Sequence, residues 1–178
     1  METSEEASVL ELAPPGSALV VAHARPRCEK KIAAWCVSEG LPHYLPLRRK
    51  THRYGGRVRT YLSPLFPGYL FCMVNAEHRG HLRRHRHVAN VLETVEQERL
   101  VQQLQQVRQV LAAEPAGDPE VLPYLQPGRP VRVMAGPFQG LEGVVAQVRG
   151  RTRVVLHVDL ISRSVAVEAD PSFLEPAE

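Results

Sequence analysis

Apolar positions along the chain fall in short runs punctuated by glycine and proline. Leu19-Val20-Val21-Ala22 is a continuous apolar run of strand length, as expected for a strand in the middle of a sheet. Pro26 fits the first turn of a helix running to about Glu39. Gly40 closes it, Pro42 stops it, and Ile32, Trp35 and Cys36 form its buried stripe. Tyr44 to Leu47 reads as an edge strand, because Pro46 cannot donate to a ladder. Residues Arg48 to Arg59 predict a basic β-hairpin with Gly55-Gly56 at its tip. The stretch Pro64-Leu65-Phe66-Pro67-Gly68-Tyr69-Leu70-Phe71 is a Pro-Gly turn feeding an apolar strand that continues to Asn75. A short helix over Glu77 to Arg86 and a strand over Val88 to Thr94 follow. An amphipathic helix over Gln97 to Ala113 then carries Leu100, Leu104, Val107 and Leu111 on one face.

Beyond that helix the pattern changes. Pro115, Pro119, Pro123 and Pro127 recur every four residues, a spacing that predicts a linker without regular structure. From Arg129 to Glu175 only short valine-rich strands remain, separated by Gly136-Pro137, Gly140, Gly150 and Ser162-Arg163, as in a small SH3-like barrel. The expected class is α+β, with helices packed on a sheet and then a small β-barrel. The domains are a leader at 1–17, an α/β sandwich at 18–113, a linker at 114–127 and the barrel at 128–178. The acidic leader is expected to be mobile and to join no core.

Charge sharpens this picture. The net charge is only +3, yet His23 to Arg59 holds ten Lys/Arg against two acids, Glu29 and Glu39. Such local positive charge favours a polyanion, most simply nucleic acid. His23, Arg25, Arg27, Lys30 and Lys31 cluster at the start of the first helix. Cations there oppose the helix dipole by a few tenths of a kcal/mol each, a cost easier to understand if they serve a ligand. Cys28, Cys36 and Cys72 make no CxxC pair and no even disulfide framework, which fits a reducing cytosol. No apolar run is long enough to span a membrane. His81 and His85 stand at i, i+4, but their neighbours are arginines, so no metal site is expected. No nucleophile elbow, P-loop or HExxH motif is present, so neither enzyme chemistry nor a cofactor is expected.

PLFPGYLF resembles the signature of the NusG-type transcription elongation factors, and its Pro-Leu-Phe-Pro start is most like the RfaH-type and polysaccharide-operon antiterminators. Leu19 to Glu29 resembles that family's opening segment, with Leu19-Val20 where Trp-Tyr is common. Gly128 to Gly143 resembles a KOW motif, whose Gly-Pro-Phe turn and closing glycine sit in the first hairpin loop. The resemblance implies a polymerase-binding NGN-type domain, a KOW domain and no catalysis. It implies that Phe66, Pro67, Tyr69 and Phe71 meet the clamp of bacterial RNA polymerase, with Phe66 the one at the partner surface because it lies in a loop. It places His78 and Arg79 against the gate loop across the cleft, and His23, Arg25, Arg27, Lys30 and Lys31 on non-template DNA. Phe138, Leu160 and Ile161 would serve a small-subunit ribosomal protein or Rho. A monomeric cytoplasmic factor follows. Two rivals stay open: a ribosome- or RNA-binding KOW protein drawing on Arg149, Arg151 and Arg153, and a metal-dependent DNA-processing protein using His81 and His85.

Overall fold

The structure, a computed structural model, describes residues 9–113, 119–123, 128–148 and 151–177. Residues 1–8 of the leader, 114–118 and 124–127 of the linker, and Arg149-Gly150 lie outside the described residues. The chain is α+β and rich in sheet. It divides into two compact units, one of Met1–Pro46 with Pro64–Gln102, the other of Leu47–Ser63 with Gln103–Glu178.

The first unit is built on a four-stranded antiparallel sheet. β1 is Ser17–Ala24, β2 His43–Tyr44, β5 Tyr69–Asn75 and β6 Val88–Leu92, in the order β2-β5-β1-β6. The continuous apolar runs therefore become the two inner strands, largely buried, while the edge strand expected over Tyr44 to Leu47 is shifted: the edge is His43–Tyr44, Leu45 and Pro46 lie outside any strand, and Leu47 begins another sheet. β1 and β5 pair in register Val20↔Cys72, Val21↔Phe71, Ala22↔Leu70 and His23↔Tyr69. Helix α1, Glu29–Ser38, buries Ile32 and Cys36, while Trp35 is only half-buried. The Cys72 thiol hydrogen-bonds Cys36, which together with burial raises its pKa well above the usual thiol value. This thiol pair places α1 over the Val20–Cys72 face of the sheet. Helix α2, Ala76–Arg84, is capped by Asn75, whose Oδ1 accepts from the His78 backbone N–H at 2.9 Å.

Two expectations change here. The leader was expected to join no core, yet Val9 and Leu10 are 0% and 2% exposed. Two adjacent apolar side chains gain about 1.5–3 kcal/mol each on full burial, enough to hold the end of an otherwise acidic segment. In α3, Gln97–Ala112, the buried stripe is Leu100, Val101, Leu104, Val107 and Val110, and Leu111 is half-exposed. At 3.6 residues per turn Leu111 lies about 40° from Val107 and shares the face of the stripe; it is half-exposed in the last turn of the helix. Gln97 ties the start of α3 to β1 through both amide atoms, accepting from the Leu19 N–H at 2.7 Å and donating to the Leu19 carbonyl at 3.0 Å.

The second unit holds a six-stranded antiparallel sheet in the order β12-β8-β9-β10-β11-β7. Its strands are β7 Glu120–Pro123, β8 Arg129–Val133, β9 Glu142–Val148, β10 Arg151–Val158, β11 Arg163–Glu168 and β12 Leu174–Pro176. The linker was expected to hold no regular element. Instead Glu120–Pro123 pairs with β11, Ala166 opposite Glu120 and Arg163 opposite Pro123. An edge strand tolerates proline, since one side of its backbone has no neighbour to serve. A closed barrel was also expected. The sheet is open, with β12 and β7 as its two edges, and no pairing between them occurs among the described residues.

The closing glycine of the KOW-like segment differs too: Gly143 lies inside β9, not in the loop. A Cβ there would sit 2.6 Å from the Val155 carbonyl oxygen and 2.9 Å from Val154 Cγ1. The backbone of β10 therefore approaches β9 more closely than any side chain would allow.

This unit also contains the basic hairpin, β3 Leu47–Tyr54 and β4 Arg57–Pro64, which form their own two-stranded sheet. Gly55 and Gly56 have φ of +53° and +79°. Positive φ at both central residues is the backbone of a type I′ turn, the two-residue connection whose twist matches the strands.

Candidate functional site

The turn before β5 organises the site. The Leu65 N–H donates to the Pro46 carbonyl at 2.7 Å and the Tyr69 N–H to the Phe66 carbonyl at 3.1 Å. Gly68 has φ +91°, a conformation that side chains rarely adopt, and its N–H donates to Glu29 Oε1 at 2.7 Å. Glu29 is buried at the start of α1, so a carboxylate fixes the turn from the neighbouring element. A hydrogen bond to a charged group contributes about 1.5–3 kcal/mol. Glu29 was counted in the sequence only as an acid among cations. That acid in the first turn of a helix otherwise cationic at its start was the available signal.

This closure decides the fate of the aromatics. Phe66 is 1% exposed and Phe71 0%, with ring centroids 6.4 Å apart in an edge-on arrangement. The expectation that Phe66 is offered to a partner is therefore corrected. The Pro-Gly turn folds back, and the ring enters the core beside Phe71. Pro67 stays exposed and Tyr69 half-exposed. Tyr69 stacks on His23, its partner across the strands, with centroids 5.0 Å apart and planes 15° from parallel.

Close to this pair, the end of β1 meets the segment after α2. The Arg25 N–H donates to the His87 carbonyl at 2.8 Å, and Arg86 Nε donates to His87 Nε2 at 3.2 Å. The His87 pKa is lowered by desolvation first, then by the charges of Arg86, Lys31, His85 and Arg25. His85 is lowered by burial and Arg86. One basic patch thus joins Arg25 and Lys31 to Arg86 and His87, which lie about sixty residues away along the chain (the span is set by the β1–β6 pairing). Sequence order alone kept these two groups apart. Arg27 and Lys30 are exposed at the same helix start, Arg27 with φ +61°.

His78 and Arg79 lie on α2, both half-buried. His78 Nδ1 is 3.0 Å from Asn75 Oδ1 and Nε2 4.0 Å from Glu39, and Glu93 is shared by Arg79 at 3.5 Å and Arg83 at 2.5 Å. The His81/His85 metal geometry does not form. α2 ends at Arg84, and His85 turns into extended backbone, its ring 5.2 Å from Trp35 and 5.4 Å from His87. Among the described residues no group of three or more His, Cys, Asp or Glu could hold a metal ion.

In the second unit, Leu160 and Ile161 lie on a 3-10 turn, Asp159–Ile161, between β10 and β11. Ile161 and Phe138 are buried and belong to the core, which corrects their placement at a partner surface; Leu160 is half-exposed. An isoleucine one residue before Ser162 (φ +51°) is turned inward as the chain reverses. Gln103 Nε2 donates to Asp159 Oδ2 at 2.7 Å and holds the turn. Arg151 and Arg153 face Glu168 and Glu120 at 3.0 and 2.9 Å, so two of the three cations that an RNA-binding rival would use are matched by carboxylates, and Arg149 lies outside the described residues.

Among the described residues, no helix is long and apolar enough to cross a membrane. A search of curated proteins found no match. The family model described as Transcription termination factor nusG matches residues 20–115, from β1 past the end of α3 and over more than half of the 178 residues. The chain belongs to the NusG family of transcription factors.

Proposed function

We propose that this NusG-family chain is an RfaH-like elongation and antitermination factor that binds bacterial RNA polymerase across its cleft and suppresses pausing. In this reading 18–113 is the polymerase-binding domain, 114–127 the connection and 128–178 a KOW domain for a second partner. The clamp contact is carried by Pro67 and the Tyr69–His23 stack, with Phe66 and Phe71 beneath them as support. His78 and Arg79 face the opposite wall of the cleft. Leu160 is the accessible apolar residue for a ribosomal protein or Rho. Action is by differential binding: a factor that touches both sides of a cleft stabilises its closed state, and only that difference shifts the equilibrium.

The observation that carries the proposal is the basic patch of Arg25, Lys31, Arg86 and His87 beside the Tyr69–His23 stack, within the segment that matches the NusG family. Cations focused at one end of a strand suit the phosphates of a displaced non-template strand. The test is binding to a bacterial elongation complex with an exposed non-template bubble, measured as a function of salt. Arg25→Ala with Lys31→Ala is expected to weaken binding and to lower the slope of log K against log salt by about 0.7 per lost single-strand phosphate contact. An unchanged affinity and slope would remove the patch from the interface.

A further inference from the structure

We infer that one face of the β3–β4 hairpin is a second nucleic-acid site, built to stack the bases of a single strand. The two-residue Gly55-Gly56 loop sets Tyr54 opposite Arg57, and the Thr51 and Thr60 hydroxyls, 3.4 Å apart, agree with that register. It follows that His52 faces Arg59 and Lys50 faces Tyr61. Because alternate residues share a face, these three pairs project from the same side of the ribbon. Five of the six side chains line one open concavity of about 480 Å³, namely His52, Tyr54, Arg57, Arg59 and Tyr61.

Each tier thus holds one ring and one cation: Tyr54 with Arg57, His52 with Arg59, Tyr61 with Lys50. Tyr54 is 84% exposed and Tyr61 49%, large apolar area left in water. No Asp or Glu occurs anywhere from Leu47 to Pro64, so the hairpin supplies no carboxylate of its own to its cations. Charge complementarity therefore selects a polyanion, and exposed rings between the cations select one with accessible bases.

Spacing decides between single strand and duplex. Successive tiers on one face lie two residues apart, about 6.8 Å. That is about twice the 3.4 Å phosphate rise along one strand of duplex DNA. One nucleotide per tier fits only a strand drawn out of the double helix, whose bases are then free to lie on Tyr54, His52 and Tyr61. DNA and RNA share this chemistry, since stacking and phosphate contact do not require a particular sugar.

The test uses the full chain and fluorescence anisotropy with four labelled probes of the same length: oligothymidine, oligouridine, an abasic deoxyribose oligomer and a DNA duplex. The wild type is expected to bind one or both base-bearing strands more tightly than the abasic strand, and the tighter of the two identifies the sugar. Tyr54→Ala with Tyr61→Ala is expected to weaken base-bearing strands roughly tenfold or more and to leave abasic binding unchanged. Tyr54→Phe with Tyr61→Phe should retain wild-type affinity. Both tyrosines are exposed, and circular dichroism confirms that the variants are folded. Equal binding of abasic and base-bearing strands, no effect of the alanine pair, or tighter binding of duplex would each overturn the inference. Arg25→Ala with Lys31→Ala leaves this face intact, so failure here and failure of the proposed elongation-complex contact are separately visible.

Discussion

Phe66→Ala is expected to lower stability by about 3–5 kcal/mol, the usual cost of truncating a fully buried phenylalanine. The loss combines removed transfer energy with a cavity that the surroundings cannot fill. Collapse is resisted on both sides: Phe71 is held in an inner strand, and the turn is fixed by the Gly68–Glu29 bond and the Leu65–Pro46 bond. The edge-on contact with Phe71 adds about 0.5–1.5 kcal/mol that the alanine cannot supply. Trp35 is the only tryptophan and belongs to the same unit, so its fluorescence in urea reads the change. A large drop in transition midpoint is predicted, whereas an unchanged midpoint would mean that the ring contributes nothing to this core. Loss of a binding activity in Phe66→Ala would consequently report damaged structure. Tyr69→Ala, at a half-exposed position, is the variant that reports contact.

Gly143→Ala is expected to loosen the β9–β10 ladder of the second unit. The new methyl would lie 2.6 Å from the Val155 carbonyl oxygen, 2.9 Å from Val154 Cγ1 and 3.1 Å from Leu156 Cδ2. A backbone carbonyl within a ladder cannot swing aside as a side chain can, so β9 and β10 must part locally. Overpacking of this kind costs about 1–3 kcal/mol, and the strained register adds weakened hydrogen bonds. Amide exchange across Val144–Val155 and Val145–Val154, neighbouring pairs in the ladder, should accelerate strongly. Gly140→Ala makes a useful comparison. Its Cβ would meet nothing within 4 Å, and its cost comes from φ +85° alone. If Gly143→Ala exchanged as slowly as the parent, the close approach would be absent in solution.

The elements set by local pattern were legible from the chain. Continuous apolar runs at Leu19–Ala22 and Tyr69–Val74 gave the inner strands, Gly55-Gly56 the hairpin, and Gly40 with Pro42 the end of the first helix. What local pattern could not show was which side chains the tertiary fold would claim. Phe66 reads from sequence as exposed because it lies in a loop, and the family resemblance puts Phe138 and Ile161 at a partner surface. Each is buried because its turn folds back onto a sheet. Strand pairing was equally hidden. Glu120–Pro123 looks like linker until β11 offers it an edge, and Arg86-His87 look separate from Arg25 until β6 lies beside β1. The His81/His85 pair shows the converse: an i, i+4 spacing is meaningful only on a helix that continues, and α2 stops between them.

In the proposed function this NusG-family chain acts on the elongating polymerase through its first unit. The most direct measurement is the lifetime of a defined paused bacterial elongation complex, with and without the full chain. A saturable shortening of the pause is predicted, lost in Tyr69→Ala with Arg25→Ala while both proteins remain folded. A pause lifetime that stays the same at every concentration of the folded wild-type chain would contradict the account.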